Sequence, residues 1–151
     1  MFPPDRIATW LREHLAAASA DGFVLGLSGG VDSATAAALA VRAVGSRQVL
    51  AALLPCHSLP EDARLAHLVA ETLGIPTVTV DLDGAYDALT AALPPSDHPL
   101  AAANIKPRLR MTALYYFANT LNHLVAGTGN RSELAVGYFT KYGDGAADIL
   151  P

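Results

Sequence analysis

Short apolar runs alternate with helix-forming stretches along the whole chain, and this alternation limits the available folds more than any other feature. Residues 23–28 (FVLGLS) are an apolar run ending in Ser-Gly-Gly. Residues 32–44 (DSATAAALAVRAV) are strong helix formers stopped by Gly45, and 48–54 (QVLAALL) is apolar again until Pro55. Ser58 then sits ahead of Pro60, acidic residues fill the next turn, and Gly74 falls where a helix should end. Residues 77–82 (TVTVDL) predict a third strand and 84–93 a helix, followed by the Pro-rich loop 94–104. A long amphipathic helix is expected from Lys106 to Asn122, with Pro107 tolerable only in its first turn. Residues 123–128 (HLVAGT) predict a fourth strand, and a Gly-rich segment runs on to Pro151. At the start, Asp5 is placed to cap a helix in which Ile7, Trp10, Leu11 and Leu15 share a face, with Trp10 as its anchor.

Strands that are apolar throughout must be covered on both sides. The expected fold is therefore α/β, a doubly wound, Rossmann-like parallel sheet with helices on both faces. A hydrophobic fraction of 52% and a charged fraction of 16% exclude disorder, and 151 residues without repeats predict a single domain over 1–151. The net charge of −4 argues against gripping nucleic acid by its phosphates. One cysteine excludes a disulfide framework or a multi-cysteine zinc site. MFPPDRIATWLREHL carries scattered charges and no apolar core, and no apolar run reaches the length of about 18 residues that spans a bilayer. The expectation is no signal peptide, no membrane segment and a cytoplasmic location.

Sheets of this kind bind ligands at the carboxyl ends of strands, beside the point where strand order reverses. Two Gly-rich segments, 26–33 and 127–133, both follow expected strands and so should share that edge. The first reads Gly26-Leu27-Ser28-Gly29-Gly30-Val31-Asp32-Ser33. Small residues let backbone N–H groups approach an anion, and the start of a helix adds its positive dipole. It is no Walker A loop, because Val31-Asp32 stands where Gly-Lys is needed, and no G-x-G dinucleotide fingerprint precedes it. A carboxylate beside phosphates makes sense with a divalent cation between them, Mg²⁺ being the ordinary case. A plain strand-to-helix turn capped by Asp32 would use the same residues; the full SGGVDS pattern favours a nucleotide.

SGGVDS resembles the PP-loop of the ATP pyrophosphatases, which split ATP between its α- and β-phosphates and activate an oxygen as an adenylate. Within that superfamily, NIKPRLRM (104–111), GTGNRSE (127–133) and GYFTKYGDGAADIL (137–150) resemble the ammonia-dependent NAD synthetases, in that family's order and spacing. PCHSLPEDARLAHLVAETLGI resembles the same family's second strand and the helix after it.

The resemblance implies ATP-dependent amidation of deamido-NAD by ammonia, giving NAD, AMP and pyrophosphate through an adenylate. It implies that Gly26 to Ser33 and Thr128 contact ATP, that Asp32 and Glu133 hold Mg²⁺, and that Arg108, Lys141 and Asp148 bind deamido-NAD. No covalent protein nucleophile is expected. The family's members are homodimers, so a homodimer is expected here; the chain leaves no room for a glutaminase, making free ammonia the nitrogen source. The family pattern continues past Pro151 with further contacts, so a truncated module that binds ATP without turnover is the alternative. Another PP-loop ligase such as a GMP synthetase is the third reading, against which FTKYGDG argues.

Other readings of the same residues stay open. Glu133 could simply pair on a helical turn, and Arg108 and Arg110 could be surface charges. Cys56 and His57 are adjacent, a poor arrangement for a thiol nucleophile and its base. His14, His67, His98 and His123 lack metal-ligand spacing. Tyr115-Tyr116-Phe117 is expected to be mainly core.

Overall fold

The central strand, β1 (Gly22–Gly26), is buried over most of its length, with Phe23, Val24 and Leu25 all fully enclosed. Period-two alternation divides its side chains between two cores. Phe23 and Leu25 enter the larger core with α1 (Pro3–Ala17), α2 (Val31–Val44) and α3 (Pro60–Leu73). Val24 faces the opposite side and packs near Ala118 of α6 (Ile105–Leu121). In β2 (Val49–Leu53), Val49, Ala51 and Leu53 join the first core, while Ala52 points to the α6 side. The computed structural model describes residues 3–151.

Two short strands complete the sheet, β3 (Thr77–Thr79) and β4 (His123–Val125), in the order β3-β2-β1-β4 with every pair parallel. The remaining helices are α4 (Asp83–Ala92), α5 (Pro99–Ala103) and α7 (Arg131–Val136). The chain steps outward from β1 through β2 to β3, then returns to the other side of β1 for β4. Strand order thus reverses between β1 and β4, which is the switch point where α/β sheets open a crevice. This is the doubly wound, Rossmann-like α/β fold that the alternation predicts. Among the described residues no helix is long and apolar enough to cross a membrane.

Several local details differ from the sequence reading. Asp5 lies within α1 and pairs with Arg42 at 2.6 Å, so it ties α1 to α2 instead of capping a helix. Ala8, Leu11 and Leu15 anchor α1, whereas Trp10 is 37% exposed and rests on His14 with ring centroids 4.4 Å apart. Spacing of four puts Trp10 and His14 on one flank of the helix, away from the sheet. β3 is shorter than predicted because it is an edge strand that leaves the ladder after Val80, whose N–H still reaches Leu53 O. The Pro-rich stretch contains α5, which starts at Pro99. In α6 only Ala118 is fully buried, and Tyr116 is 67% exposed. That helix carries apolar residues on more than the sheet-facing side, so it is less cleanly amphipathic than its sequence spacing implied. Tyr115 and Phe117 do pack inward.

Candidate functional site

The β1–α2 loop is shaped from within by Ser33, a buried hydroxyl only 3% exposed. Its Oγ donates to Gly30 O at 2.9 Å and accepts the Ser28 amide at 3.3 Å. Ser28 Oγ lies 3.1 Å from Ser33 Oγ and accepts the Gly30 amide at 3.3 Å. With the Ser33 proton committed to Gly30, the Ser28 hydroxyl must donate to Ser33, so the loop is self-satisfied. Gly29 has φ +82°, and a Cβ there would come within 2.7 Å of the Asp62 carbonyl, so α3 packs against a bare backbone. Gly30 caps α2 without any side-chain bond, leaving the first-turn amides uncapped by the protein.

The second loop follows β4. Ala126 bridges Ile149 and the Gly127 amide donates to Ile149 O at 2.8 Å. A Cβ on Gly127 would lie 2.5 Å from Leu150 Cδ2, so glycine lets the last residues of the chain dock here. Asn130 starts α7 with reciprocal capping: its Oδ1 accepts the Glu133 amide at 2.9 Å, and Glu133 Oε2 accepts the Asn130 amide at 3.0 Å. The capping that Glu133 could have made by local sequence alone is therefore present, and it aims the carboxylate as well. Asn130 Nδ2 reaches across to Asp32 Oδ2 at 3.5 Å.

The two loops enclose a cleft of about 200 Å³ lined by Ser28, Gly30, Asp32 and Ser33 from one side and by Thr128 and Glu133 from the other. Asp144, whose carboxylate accepts the Thr140 amide at 2.8 Å, lines it too. A larger cavity of about 300 Å³ opens beside the cleft and shares Ser28, Thr128 and Asp144 with it. Gly26 and Leu27 line this second space, together with Ala52, Leu54, Pro55, Met111, Leu114 and Arg110. Val31, 76% exposed, lines neither cavity.

Arg108, Lys141 and Asp148 do not line either cavity. Arg108 Nε donates to Lys141 O at 3.2 Å, so α6 holds the FTKYGDG segment by its backbone. Lys141 Nζ lies over the Tyr142 ring at 5.0 Å. Asp148 is engaged on both oxygens, accepting the Val125 amide at 2.8 Å and the Tyr115 hydroxyl at 3.0 Å. Burial and that hydrogen bond to a carboxylate push the Tyr115 phenol up to about 12. Cys56 is buried at the end of β2, which raises its thiol pKa, while His57 Nε2 contacts Asp87 at 2.8 Å.

Arg110 and Asp144 are the site residues the sequence reading missed. Asp144 sits inside the FTKYGDG segment, whose sequence pattern gives it no role of its own. For Arg110 the available signal was electrostatic. Lys106, Arg108 and Arg110 crowd the first turns of α6, where no acidic residue offsets them and the helix dipole disfavours cations.

The donor set in the cleft suits a hard divalent cation. Asp32 and Glu133 supply carboxylate oxygens, and among the described residues no group of three or more His, Cys, Asp or Glu is arranged to hold a metal alone. Such a pair fits an ion that brings phosphate oxygens with it, as Mg²⁺ does.

A glycine-bearing loop at the switch point, an uncapped helix start and a facing carboxylate pair define an α/β protein of the PP-loop class. The chain belongs to the NAD synthase family, whose model matches residues 4–151. It is 50% identical to the NH3-dependent NAD+ synthetase of Carboxydothermus hydrogenoformans over 97% of this chain and 62% of that protein. It is 49% identical to the enzyme of the same name from Pyrobaculum aerophilum, over 96% of this chain and 55% of that protein. The chain thus spans little more than half the length of these curated relatives. Among solved structures, the NMN synthetase of Francisella tularensis superimposes with a TM-score of 0.92 at 40% identity, over 100% of this chain and 65% of that one. The NH3-dependent NAD synthetase of Campylobacter jejuni gives 0.92 at 32% identity, over 98% and 64%.

Proposed function

We propose that this chain carries the ATP-activating half of an ammonia-dependent NAD synthetase. The observation that carries the reading is the meeting of Asp32 and Glu133 with the Ser28–Ser33 loop in one cleft. In this reading the amides of Gly26 to Ser33 cradle the ATP phosphates and Thr128 adds a contact. Asp32 and Glu133 hold Mg²⁺, which when bound offsets phosphate charge. The larger, mostly apolar cavity takes the adenosine.

The nicotinate carboxylate of deamido-NAD attacks the α-phosphorus, pyrophosphate leaves into the loop, and the nicotinyl adenylate remains. Ammonia then adds to the activated carbonyl and AMP departs as the amide forms. No protein nucleophile takes part; the chain's own residues bind, orient and stabilise charge. Arg108 and Lys141, linked through a backbone carbonyl, form the cationic end that receives deamido-NAD. Asp148 is the third residue of that reading, held to Val125 of β4 and Tyr115 of α6. The reading includes a cytoplasmic homodimer, for which the exposed Tyr116 on α6 offers an apolar contact.

A second acceptor is favoured by the likeness to the Francisella tularensis NMN synthetase: the same chemistry applied to the mononucleotide. The test incubates the chain with ATP, Mg²⁺ and ammonium plus deamido-NAD, reading NAD with a coupled dehydrogenase, and uses Asp32→Ala as control. A parallel reaction offers nicotinate mononucleotide and measures its amide chromatographically. NAD formation that needs ATP and Asp32 supports the synthetase. A folded chain that binds Mg²⁺-ATP and amidates neither acceptor rejects turnover by this chain.

A further inference from the structure

The segment that leaves β2 is held by a single side chain from the opposite side of the large cavity. Arg110, on α6, donates through Nε to Leu54 O at 2.9 Å and through Nη2 to Ser58 Oγ at 3.3 Å. Ser58 Oγ also accepts the Cys56 amide at 3.2 Å, closing a small turn over residues 56–58. Its far side is tied to α4, because the His57 amide donates to Asp83 and its ring meets Asp87. Leu54, Pro55 and Ser58 form one wall of the cavity, and Arg110 is the only cationic side chain among the residues that line it. Two positions earlier on the same helix, Arg108 points to Lys141 instead. A separation of two residues turns side chains to different helix faces. The two arginines therefore serve different segments.

Nothing in the fold rewards an arginine here for charge alone. It stands near the positive end of α6, makes no ion pair among the described residues, and spends two of its five N–H groups on a carbonyl and a hydroxyl. What those bonds secure is the geometry of the 54–58 wall. Leu54, Pro55 and Ser58 line the large cavity and not the phosphate cleft.

We infer that Arg110 is a positioning residue for the nucleoside end of the ligand, acting through Leu54 and Ser58 rather than on the phosphates. This rests on the reading of the two cavities as an ATP site and sharpens it: base and phosphates are recognised by separable parts. The planar fork is essential, since a lysine cannot reach both acceptors with fixed geometry.

The experiment compares Mg²⁺-ATP with Mg²⁺-tripolyphosphate, a ligand with the phosphates and no nucleoside, by calorimetry on the 151-residue chain. Arg110→Ala and Arg110→Lys should each weaken ATP by about 10- to 100-fold, because binding must then order the 54–58 wall that two charge-assisted hydrogen bonds had held, and leave tripolyphosphate within about twofold. Arg110→Lys keeps the stem and the charge, so it remains informative where the alanine variant unfolds. Amide hydrogen exchange at residues 56–59 should rise in Arg110→Lys without any ligand. Equal loss of both ligands, or unchanged ATP affinity in folded Arg110→Lys, overturns the inference while leaving the phosphate loop intact. A wild-type chain that binds neither ligand removes the ATP reading itself, and with it this inference.

Discussion

Asn130 and Asp32 meet across 98 residues of sequence, the Asn130 side-chain Nδ2 lying 3.5 Å from Asp32 Oδ2. The contact joins the start of α7 to the start of α2, so the two loops that follow β4 and β1 close on one another. Because Glu133 is fixed by the same Asn130, the helix start that builds the cleft also brings the second carboxylate into it.

That arrangement separates a binding role from a capping role. Glu133→Gln keeps an oxygen able to accept the Asn130 amide, so α7 should form normally. Losing the charge should weaken Mg²⁺-dependent ATP binding by about tenfold or more, as should Asp32→Asn. Titrating ATP with and without Mg²⁺ checks this. If Glu133→Gln binds Mg²⁺-ATP like the wild type, Glu133 is a cap and nothing else.

Gly29 and Gly30 are adjacent and should respond very unequally to alanine. Gly29 combines φ +82° with a Cβ position 2.9 Å from Leu65 Cβ and 2.7 Å from a backbone carbonyl. Gly30 has φ −80° and its nearest obstacle is the Ser28 hydroxyl at 3.4 Å. Gly29→Ala should cost about 2 kcal/mol or more, through strain and overlap, and Gly30→Ala well under half of that. Urea denaturation of the pair provides the comparison, and equal losses would show that α3 yields freely at this contact.

Much of this was legible in the chain because local signals and global fold agree. The apolar run ending in Ser-Gly-Gly dictated both β1 and the loop, and Gly45 and Gly74 end helices as their positive φ values allow. The site's edge followed from parallel strands alone, since loops after β1 and β4 must lie together. What escaped were features fixed only by tertiary contact. Trp10 reads as an anchor until α1 is docked through Ala8, Leu11 and Leu15. Arg110 acquires its partners only when α6 crosses the end of β2, and spacing along one helix says nothing about Leu54 or Ser58. Asp148 is expected from the resemblance to bind deamido-NAD, and the sequence gives no sign that Val125 and Tyr115 occupy both of its oxygens.

Ser33 offers a test of the loop independent of any charge. Its hydroxyl satisfies the Ser28 amide and the Gly30 carbonyl inside a nearly closed environment. Ser33→Ala leaves the Ser28 amide without its partner, which should cost about 1–3 kcal/mol. Tripolyphosphate affinity should fall with it, because the loop amides lose their fixed directions. Ser33→Thr keeps the hydroxyl but adds a methyl to a buried site, so it should recover part of the binding and little of the stability. Thermal melts and tripolyphosphate titrations on both variants decide the matter; full affinity in Ser33→Ala would mean that the loop holds its shape without this hydroxyl.

Tyr115 makes the stability of the chain sensitive to alkali in a defined window. Burial first, and then the bond to Asp148, raise the phenol from its ordinary value of 10.0 to about 12 in the folded protein. The unfolded chain therefore loses this proton at lower pH than the folded one. Below pH 10 both states hold it and the stabilising contact is complete. As pH climbs from about 10 toward 12 the unfolded state is favoured by ionisation, and the contribution is gone once the folded phenol itself ionises. Tyr115→Phe removes the titrating group and leaves Asp148 with only the Val125 amide. It should lower the melting temperature at pH 8 by a few degrees, yet flatten the decline between pH 10 and 12 relative to the wild type. Melting curves collected every half unit across that range test the sign; parallel curves for the two proteins would rule out Tyr115 as the source of the alkaline loss.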